Sequence, residues 1–172
     1  MTVQEAREKA ESYFLEGYNC TQAVLLTFCA QFGVDTDTAL KMAQPLGGGF
    51  SRLREVCGTV SGLFLLAGLA KGSSDPKDKT AKDEVYQISR DLAEKFREEH
   101  GSIICRELLG LVPMGQSQTA LENGQPIVHI SQQSKSQERT AEYYKKRPCP
   151  KLAGDAAAIF QGWLDSRTQE QK

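Results

Sequence analysis

The cysteines are the residues of this chain whose number and spacing suggest a chemical role. Five thiols are spread over 172 residues, well below the roughly 8–10% cysteine content of a disulfide-packed secreted scaffold. In a reducing cytoplasm, such cysteines are more often catalytic, redox-sensing or metal-binding than structural. The odd number leaves at least one thiol outside any set of disulfides within the chain. The five are Cys20, Cys29, Cys57, Cys105 and Cys149.

The stretch around Cys57 is the first candidate for a reactive site. Glycines at 47–49 permit backbone shapes and close approaches that a side chain would block, and an apolar helix is predicted over 58–70. The unpaired amides of a first helical turn favour a thiolate, and Arg52 and Arg54 would add positive charge. We therefore predict that Cys57 is the attacking thiolate. The residues predicted to support it are Gly48, Gly49, Arg52, Arg54, Gly58 and Gly62.

Three further cysteines fall at or near predicted helix starts. Asn19 is a typical helix cap and places Cys20 in the first turn. Cys105 lies in a short segment predicted to be helical over 103–109, with Arg106 beside it as a further supporting residue. The sequence Pro-Cys-Pro places Cys149 at the start of the last helix. These thiols are far apart in sequence, so any site that they share must be assembled by the fold.

Cys29 is predicted to play a different part from the other four. It follows Cys20 by nine residues on one predicted helix over 20–32. At 100° per residue the two side chains point to opposite faces of that helix. We therefore interpret Cys29 as a small core hydrophobe.

The regular elements that would position these thiols are helical. Hydrophobic side chains recur at helical spacing, between cap and stop residues, through most of the chain. We predict an all-α fold, an irregular bundle of about six or seven helices around the helix that follows Cys57. Residues 1–172 are predicted to form a single helical four-cysteine domain, since no linker is long enough to separate two domains.

The segment over about 112–139 is the exception to the helical pattern. It is rich in Gln and Ser and reads as a polar insertion. Within it, Asn123-Gly124 is a hairpin turn signal and 127–130 would form a returning strand, which Pro126 restricts to an edge. The sequence leaves two alternatives open here, a small β-hairpin at 117–131 or a mobile loop.

Composition and motifs exclude several classes of function. A formal charge of −1 lacks the positive charge that is typical of nucleic-acid-binding proteins. The longest apolar run, over 60–70, is too short for membrane insertion, and the first residues lack a basic and apolar leader, so we expect a soluble, cytoplasmic protein. The absence of Cys-x-x-Cys counts against a thioredoxin-like or zinc-ribbon protein. Two histidines and dispersed acids offer no Ser-His-Asp set.

Several motifs, taken in order, resemble one known family. They are Asn19-Cys20-Thr21-Gln22-Ala23-Val24, Gly47-Gly48-Gly49, Cys57-Gly58-Thr59-Val60-Ser61-Gly62, Gly101-Ser102, Cys105-Arg106-Glu107-Leu108-Leu109-Gly110 and Cys149. The chain resembles the small bacterial and archaeal redox-active proteins named for their C…GCAxxG…C…C signature. The resemblance covers nearly the whole chain and implies that Cys20, Cys57, Cys105 and Cys149 are the family's four cysteines. Thr59 stands where the family usually has alanine, and we expect this change to affect packing only. The polar segment is also longer than the family's minimum.

Three hypotheses for function follow. The first is a thiol–disulfide oxidoreductase without a cofactor, in which two or more of the four cysteines cycle between dithiol and disulfide with an unknown redox partner. The second is a metal or iron–sulfur protein in which Cys20, Cys57, Cys105 and Cys149 bind zinc or a cluster. The third is a helical partner-binding protein whose thiols only pack. The small size and glycine-faced helix are compatible with a homodimer.

Overall fold

The computed structural model describes residues 1–115, 121–122, 125–126 and 135–170. These residues form α-helices at Val3–Leu15 (α1), Cys20–Phe28 (α2), Thr36–Ala43 (α3), Gly58–Lys71 (α4), Lys79–His100 (α5), Cys105–Leu108 (α6), Ala141–Lys145 (α7) and Cys149–Glu170 (α8). Short 3-10 helices at Cys29–Phe32 and Gln44–Leu46 follow α2 and α3. The prediction of an all-α fold is confirmed. Eight α-helices are described where about six or seven were expected, and two of them, α6 and α7, are only a turn or so long.

Helix starts are fixed by side chains that accept hydrogen bonds from first-turn amides. Thr2 and Glu5 form a reciprocal capping box at α1, as their spacing predicts. Two aspartates precede α5, and the first of them, Asp75, does not cap the helix. Asp75 instead accepts from the amide of Lys77 at 2.9 Å within a turn, and Asp78 caps the helix by accepting from Ala81 at 2.9 Å. The side chain of Asp75 is already used by the turn, so the side chain of Asp78 caps the helix.

The centre of the bundle is shared by two apolar helices. α2 packs against α1, α3, α4 and α8, and α4 packs against α2, α5 and α8. Eight of the nine residues of α2 are buried, because a helix that is apolar on nearly every face has no side to offer to water. The prediction that the bundle surrounds the helix after Cys57 therefore holds only in part, since α2 is as central as α4. None of the described helices is long and apolar enough to cross a membrane.

The predicted insertion contains a very small sheet. Leu121–Glu122 (β1) and Gln125–Pro126 (β2) pair antiparallel, with Glu122 opposite Gln125. The described pairing covers only these two pairs of residues, and the small β-hairpin predicted at 117–131 is not borne out. The returning strand predicted over 127–130 lies outside the described residues.

Candidate functional site

Four cysteines stand at helix starts, as the sequence predicts. Cys20, Cys105 and Cys149 are the first residues of α2, α6 and α8. Cys57 is the residue that caps α4 at its N-terminus, and its side chain makes no capping hydrogen bond there. Cys29 begins the 3-10 helix after α2 and is buried in the hydrophobic core, so its predicted role as a core residue is confirmed.

Asn19 fixes the first turn of α2 and therefore the position of Cys20. Its carboxamide oxygen accepts from the amides of Thr21 and Gln22, each at 3.0 Å. Its amide nitrogen donates to the carbonyl oxygen of Gln44 at 3.0 Å, which ties α2 to the segment before the glycine run. The cap proposed from sequence thus also joins two parts of the site.

A backbone bridge brings Cys57 and Cys105 into register. Val56 and Ile104 form an isolated antiparallel β-bridge. Beside it, the amide of Cys57 donates to Ile103 at 2.8 Å and the amide of Cys105 donates to Glu55 at 2.7 Å. Two thiols that are 48 positions apart in the sequence are therefore held on adjacent backbones.

Glycines allow the cysteine-bearing elements to approach one another. A Cβ at Gly49 would lie 2.7 Å from the Cβ of Cys105, and the φ of +69° at Gly49 is one that L side chains rarely adopt. A Cβ at Gly58 would lie 3.1 Å from the Cβ of Cys20, and one at Gly62 would lie 2.8 Å from that of Val24. The predicted glycine face of α4 is thus the face that packs against α2.

The left-handed backbone continues beyond the glycine run. Phe50, Ser51, Arg52 and Arg54 have φ values of 56°, 48°, 70° and 63°. Non-glycine residues rarely take this conformation, and they hold it only where surrounding structure compensates for its cost. The chain turns sharply here and directs the guanidinium of Arg54 toward Cys105, whose sulfur lies 3.9 Å from Nη1.

One cavity of about 60 Å³ is lined by all four predicted site cysteines. Arg54, Arg139, Tyr143 and Arg147 contribute to the same wall. The fold therefore brings together Cys20, Cys57, Cys105 and Cys149. All of these thiols are free and buried.

Cys20 and Cys149 interact directly. The Cys20 thiol donates a hydrogen bond to the Cys149 sulfur, which lowers the pKa of Cys149 to about 7 against the opposing effect of burial. The positive charges of Arg147, Arg54 and Arg139 lower this pKa further. The same hydrogen bond, together with burial, raises the pKa of Cys20 well above its ordinary value. The pair therefore shares one negative charge, located on Cys149.

Cys57 and Cys105 behave in the opposite way. Burial raises the pKa of Cys57 to about 12, and the nearby Cys105 adds to the effect. Burial also raises the pKa of Cys105, although Arg54 opposes it. These pKa shifts do not favour the predicted attack by Cys57, and they favour Cys149 as the thiolate instead. Sequence reasoning counted the helix start and the arginines but had no measure of how completely α4 and its neighbours enclose this sulfur.

The geometry agrees with a comparison of the chain with known protein families. The profile of the family described as "Putative redox-active protein (C_GCAxxG_C_C)" matches residues 18–163. The chain belongs to this family. The match spans the elements that carry all four cavity cysteines, and the C_GCAxxG_C_C family's description assigns it a general redox role. No curated protein and no solved structure matches this chain.

Thr59, which the resemblance marked as a departure from the family's alanine, contacts a site thiol. Its Oγ1 lies 3.1 Å from the Cys57 sulfur in a buried hydrogen bond. This contact lowers the pKa of Cys57, although less than burial raises it. The expectation that the change affects packing only is therefore wrong.

The arginines at the cavity differ from those predicted. Arg54 lines it as expected, whereas Arg52 and Arg106 are not among the described lining residues. Arg52 donates instead to the carbonyl oxygen of Lys135. Arg106 pairs with Glu55 at 2.7 Å and donates to the carbonyl oxygen of Arg54 at 3.2 Å.

Sequence reasoning missed two cavity residues, Arg139 and Arg147. Both come from the part of the chain between α6 and α8, which showed no helical periodicity to place them. The one available signal was that Arg147 precedes Cys149 by two positions, directly before the predicted helix start.

The four thiols are not spaced as zinc ligands in this structure. Zn–S bonds of about 2.3 Å in a tetrahedron place the sulfurs about 3.8 Å apart. Within the described part of the chain, no three cysteine sulfurs lie within 4.8 Å of one another. A set that does meet this spacing is Glu99, His100 and Asp155.

That second set is also unsuited to a metal ion. The carboxylate of Asp155 is buried and is already paired with two cations. Lys151 Nζ lies 2.6 Å from its Oδ2, and Arg7 pairs with its Oδ1. His100 Nε2 lies 3.3 Å from Oδ2 as well. These contacts join α1, α5 and α8, which is a structural role.

Proposed function

We propose that this protein performs thiol–disulfide exchange, with Cys149 as the attacking thiolate and Cys20 as the resolving thiol. The observation that carries the proposal is the hydrogen-bonded pair, in which the pKa of one sulfur is about 7 and that of the other is raised. An attacking thiol reacts fastest when its pKa lies near the ambient pH. A resolving thiol must lie within reach of the first sulfur, and Cys20 lines the same cavity as Cys149 and interacts with it.

The reaction balances when it is written in the reductive direction. The Cys149 thiolate attacks one sulfur of a substrate disulfide, a Cys149–substrate bond forms, and the other substrate sulfur leaves as a thiolate. The Cys20 sulfur then attacks the Cys149 sulfur, and the first substrate sulfur leaves and takes up the proton that Cys20 gives up. Two electrons pass from the protein to the substrate, and the protein is left with a Cys20–Cys149 disulfide.

Cys57 and Cys105 are not assigned to the attack. Their raised pKa values keep both thiols protonated at neutral pH, where a thiol is a poor nucleophile. Their placement on the same cavity keeps them as candidates for a later exchange step. The redox partner, the cytoplasmic location and the homodimer remain predictions from the sequence.

The test uses bis(2-hydroxyethyl) disulfide, a neutral substrate that depends on no charged residue. Wild-type protein should form a Cys20–Cys149 disulfide, located by mass mapping of peptides. The Cys20→Ser variant should accumulate a mixed disulfide at Cys149, because the resolving thiol is absent. Cys29→Ser, changed in the core away from the cavity, is the matched control and should react as wild type does.

Two results would overturn the proposal. One is labelling of Cys20→Ser at Cys57 or Cys105 ahead of Cys149. The other is protein purified without oxygen that is coloured or carries stoichiometric metal at the four thiols, which would select the metal or iron–sulfur alternative.

A further inference from the structure

The thiol cavity carries more positive charge than its own residues neutralise. Arg54, Arg139 and Arg147 line it, and no aspartate or glutamate is among the described lining residues. None of the three arginines forms an ion pair with a carboxylate of the described residues. The Cys149 thiolate balances one positive charge, which leaves an excess at the cavity wall.

Arg54 is the most enclosed of the three. Its exposure is 8%, and its Nε atom is buried without a hydrogen-bond partner among the described residues. A buried guanidinium donor without an acceptor is costly, and charged acceptors satisfy such donors best. The unpaired donor is therefore a reason for an acceptor to enter this cavity.

Arg139 and Arg147 are held at the cavity by neutral groups. The guanidinium of Arg139 lies over the ring of Phe14 at 4.5 Å and donates to the Phe14 carbonyl oxygen at 2.8 Å. The guanidinium of Arg147 lies over the ring of Tyr143 at 4.9 Å and donates to Gln137 Oε1. Both side chains are positioned in advance without an ion pair to a carboxylate of the described residues, which suits recognition of an anion.

We infer that this cavity binds a small anionic oxygen group of the substrate, a carboxylate or similar group, beside the Cys149 sulfur. Three arginines around one reactive thiol select an anionic low-molecular-weight thiol or disulfide over a neutral or cationic one. A cavity of about 60 Å³ has room for one such group rather than for a peptide chain. The assignment of an anionic thiol or disulfide as the substrate rests on the proposed thiol–disulfide exchange. The binding of an anion at the cavity does not depend on that exchange.

Alkylation tests the anion site independently of any exchange activity. Iodoacetate and iodoacetamide attack the same thiolate and differ in charge, so the ratio of their rates at Cys149 cancels changes in the pKa of that thiol. In the folded protein this ratio should exceed the ratio in the urea-unfolded chain by about fivefold or more, as one favourable charge interaction would give. Arg54→Gln and Arg147→Gln should each lower it toward the unfolded value.

Matched variants keep this test decisive. Arg54→Lys retains the charge and should keep part of the preference for iodoacetate. Arg97→Gln, at an exposed position paired with Glu94 at 2.5 Å, should leave the ratio unchanged. Arg147→Gln changes a less buried residue, so it gives an answer even where Arg54→Gln prevents folding. A wild-type ratio equal to that of the unfolded chain would overturn the anion site.

A panel of disulfides tests the substrate class. Dithiodipropionate, bis(2-hydroxyethyl) disulfide and cystamine are similar in size and carry negative, neutral and positive ends. Dithiodipropionate should oxidise the protein fastest and cystamine slowest, and Arg147→Gln should reduce the difference. Equal rates for all three would overturn the anionic substrate and leave the exchange reaction standing. No reaction with any of them would overturn the exchange reaction instead, while the alkylation ratio would still report on the anion site.

Discussion

The two thiol pairs of the cavity have the same residue type, similar local structure and opposite electrostatics. Cys20 and Cys149 share a hydrogen bond that lowers the pKa of Cys149 to about 7. Cys57, across the same cavity, has a pKa raised to about 12. Cys149 begins a helix of 22 residues and Cys57 caps one of 14, so both have unpaired first-turn amides nearby.

The difference shows that a helix start alone does not make a thiol reactive. Local amides are common to both cysteines, so they cannot account for opposite shifts. What differs is the balance of burial and partners. A hydrogen bond with Cys20 and three arginines lower the pKa of Cys149, whereas for Cys57 burial outweighs the lowering effect of its hydrogen bonds with Thr59. For buried thiols, the loss of hydration outweighs a nearby helix end unless specific donors replace the water.

The largest expected effect separates the two pairs by reactivity. Labelling with iodoacetamide at pH 7 should modify Cys149 at least about 100-fold faster than Cys57, because about half of a thiol with a pKa of 7 is ionised and almost none of one with a pKa of 12. Rates are read by peptide mass spectrometry. Cys149→Ser should remove the fast phase and Cys57→Ser should preserve it. A fast phase that follows Cys57 would reverse the comparison.

Stability should depend on pH through Cys149. The pKa of this thiol is lowered from 9.0 to about 7 in the folded protein. The ionised thiol therefore stabilises the fold fully above pH 9, and this stabilisation is lost as the pH falls through 7. The difference in unfolding free energy between wild type and Cys149→Ser should therefore grow by about 2 kcal/mol from pH 7 to pH 9. Urea denaturation under reductant measures it, and a difference that stays constant with pH would contradict the lowered pKa.

Above pH 9 the other three cavity thiols should affect the stability in the opposite sense. The pKa values of Cys20, Cys57 and Cys105 are raised in the folded protein. The protonated thiols stabilise the fold fully below their unfolded pKa, and this stabilisation is lost as the pH rises above it. Wild-type stability should thus decline on the alkaline side.

Removal of the hydrogen bond from Cys20 tests why the two thiol pairs differ. We expect a smaller effect here than in the labelling and stability experiments. Cys20→Ala should raise the pKa of Cys149 by about one unit, because a hydrogen bond to the charged form is lost. Cys20→Ser keeps a donor and should raise it less. The pH dependence of the alkylation rate gives both values. Identical midpoints in wild type and Cys20→Ala would show that the arginines, rather than the partner thiol, stabilise the thiolate.

Thr59 gives the smallest expected effect. Thr59→Ser keeps the hydroxyl that lies 3.1 Å from the Cys57 sulfur, and Thr59→Ala removes it. The alanine variant should be about 1 kcal/mol less stable than the serine variant, the usual value of one buried hydrogen bond. Thermal or urea unfolding of the two variants is the measurement. Equal stability of the two variants would show that the hydroxyl does not stabilise the fold and that Thr59 affects packing only.

Local features of this protein could be predicted from the sequence because they are set by a few neighbouring residues. The caps at Thr2 and Asn19 and the four helix starts at cysteines follow from short patterns of side chains that satisfy first-turn amides. The close approach of α4 to α2 at Gly58 and Gly62 follows from two glycines one turn apart. The matched family profile covers the same elements.

Properties that depend on distant residues could not be predicted in this way. The sequence places Arg147 near Cys149 but gives no reason for Arg139, whose guanidinium reaches the cavity beside Phe14 of α1. Nor does it show that the left-handed backbone extends past Gly49 to Arg54. Both depend on contacts between segments that are far apart along the chain.

The sequence by itself determined the helical architecture and the four thiols at helix starts, because capping and periodicity act over a few residues. Only the tertiary structure decided which of these thiols carries the charge. A thiol's pKa is set by the water it loses and the donors it gains, and in this cavity both come from elements remote in sequence. For that reason the same residue type at the same kind of helix start gives a thiolate at Cys149 and a protonated thiol at Cys57.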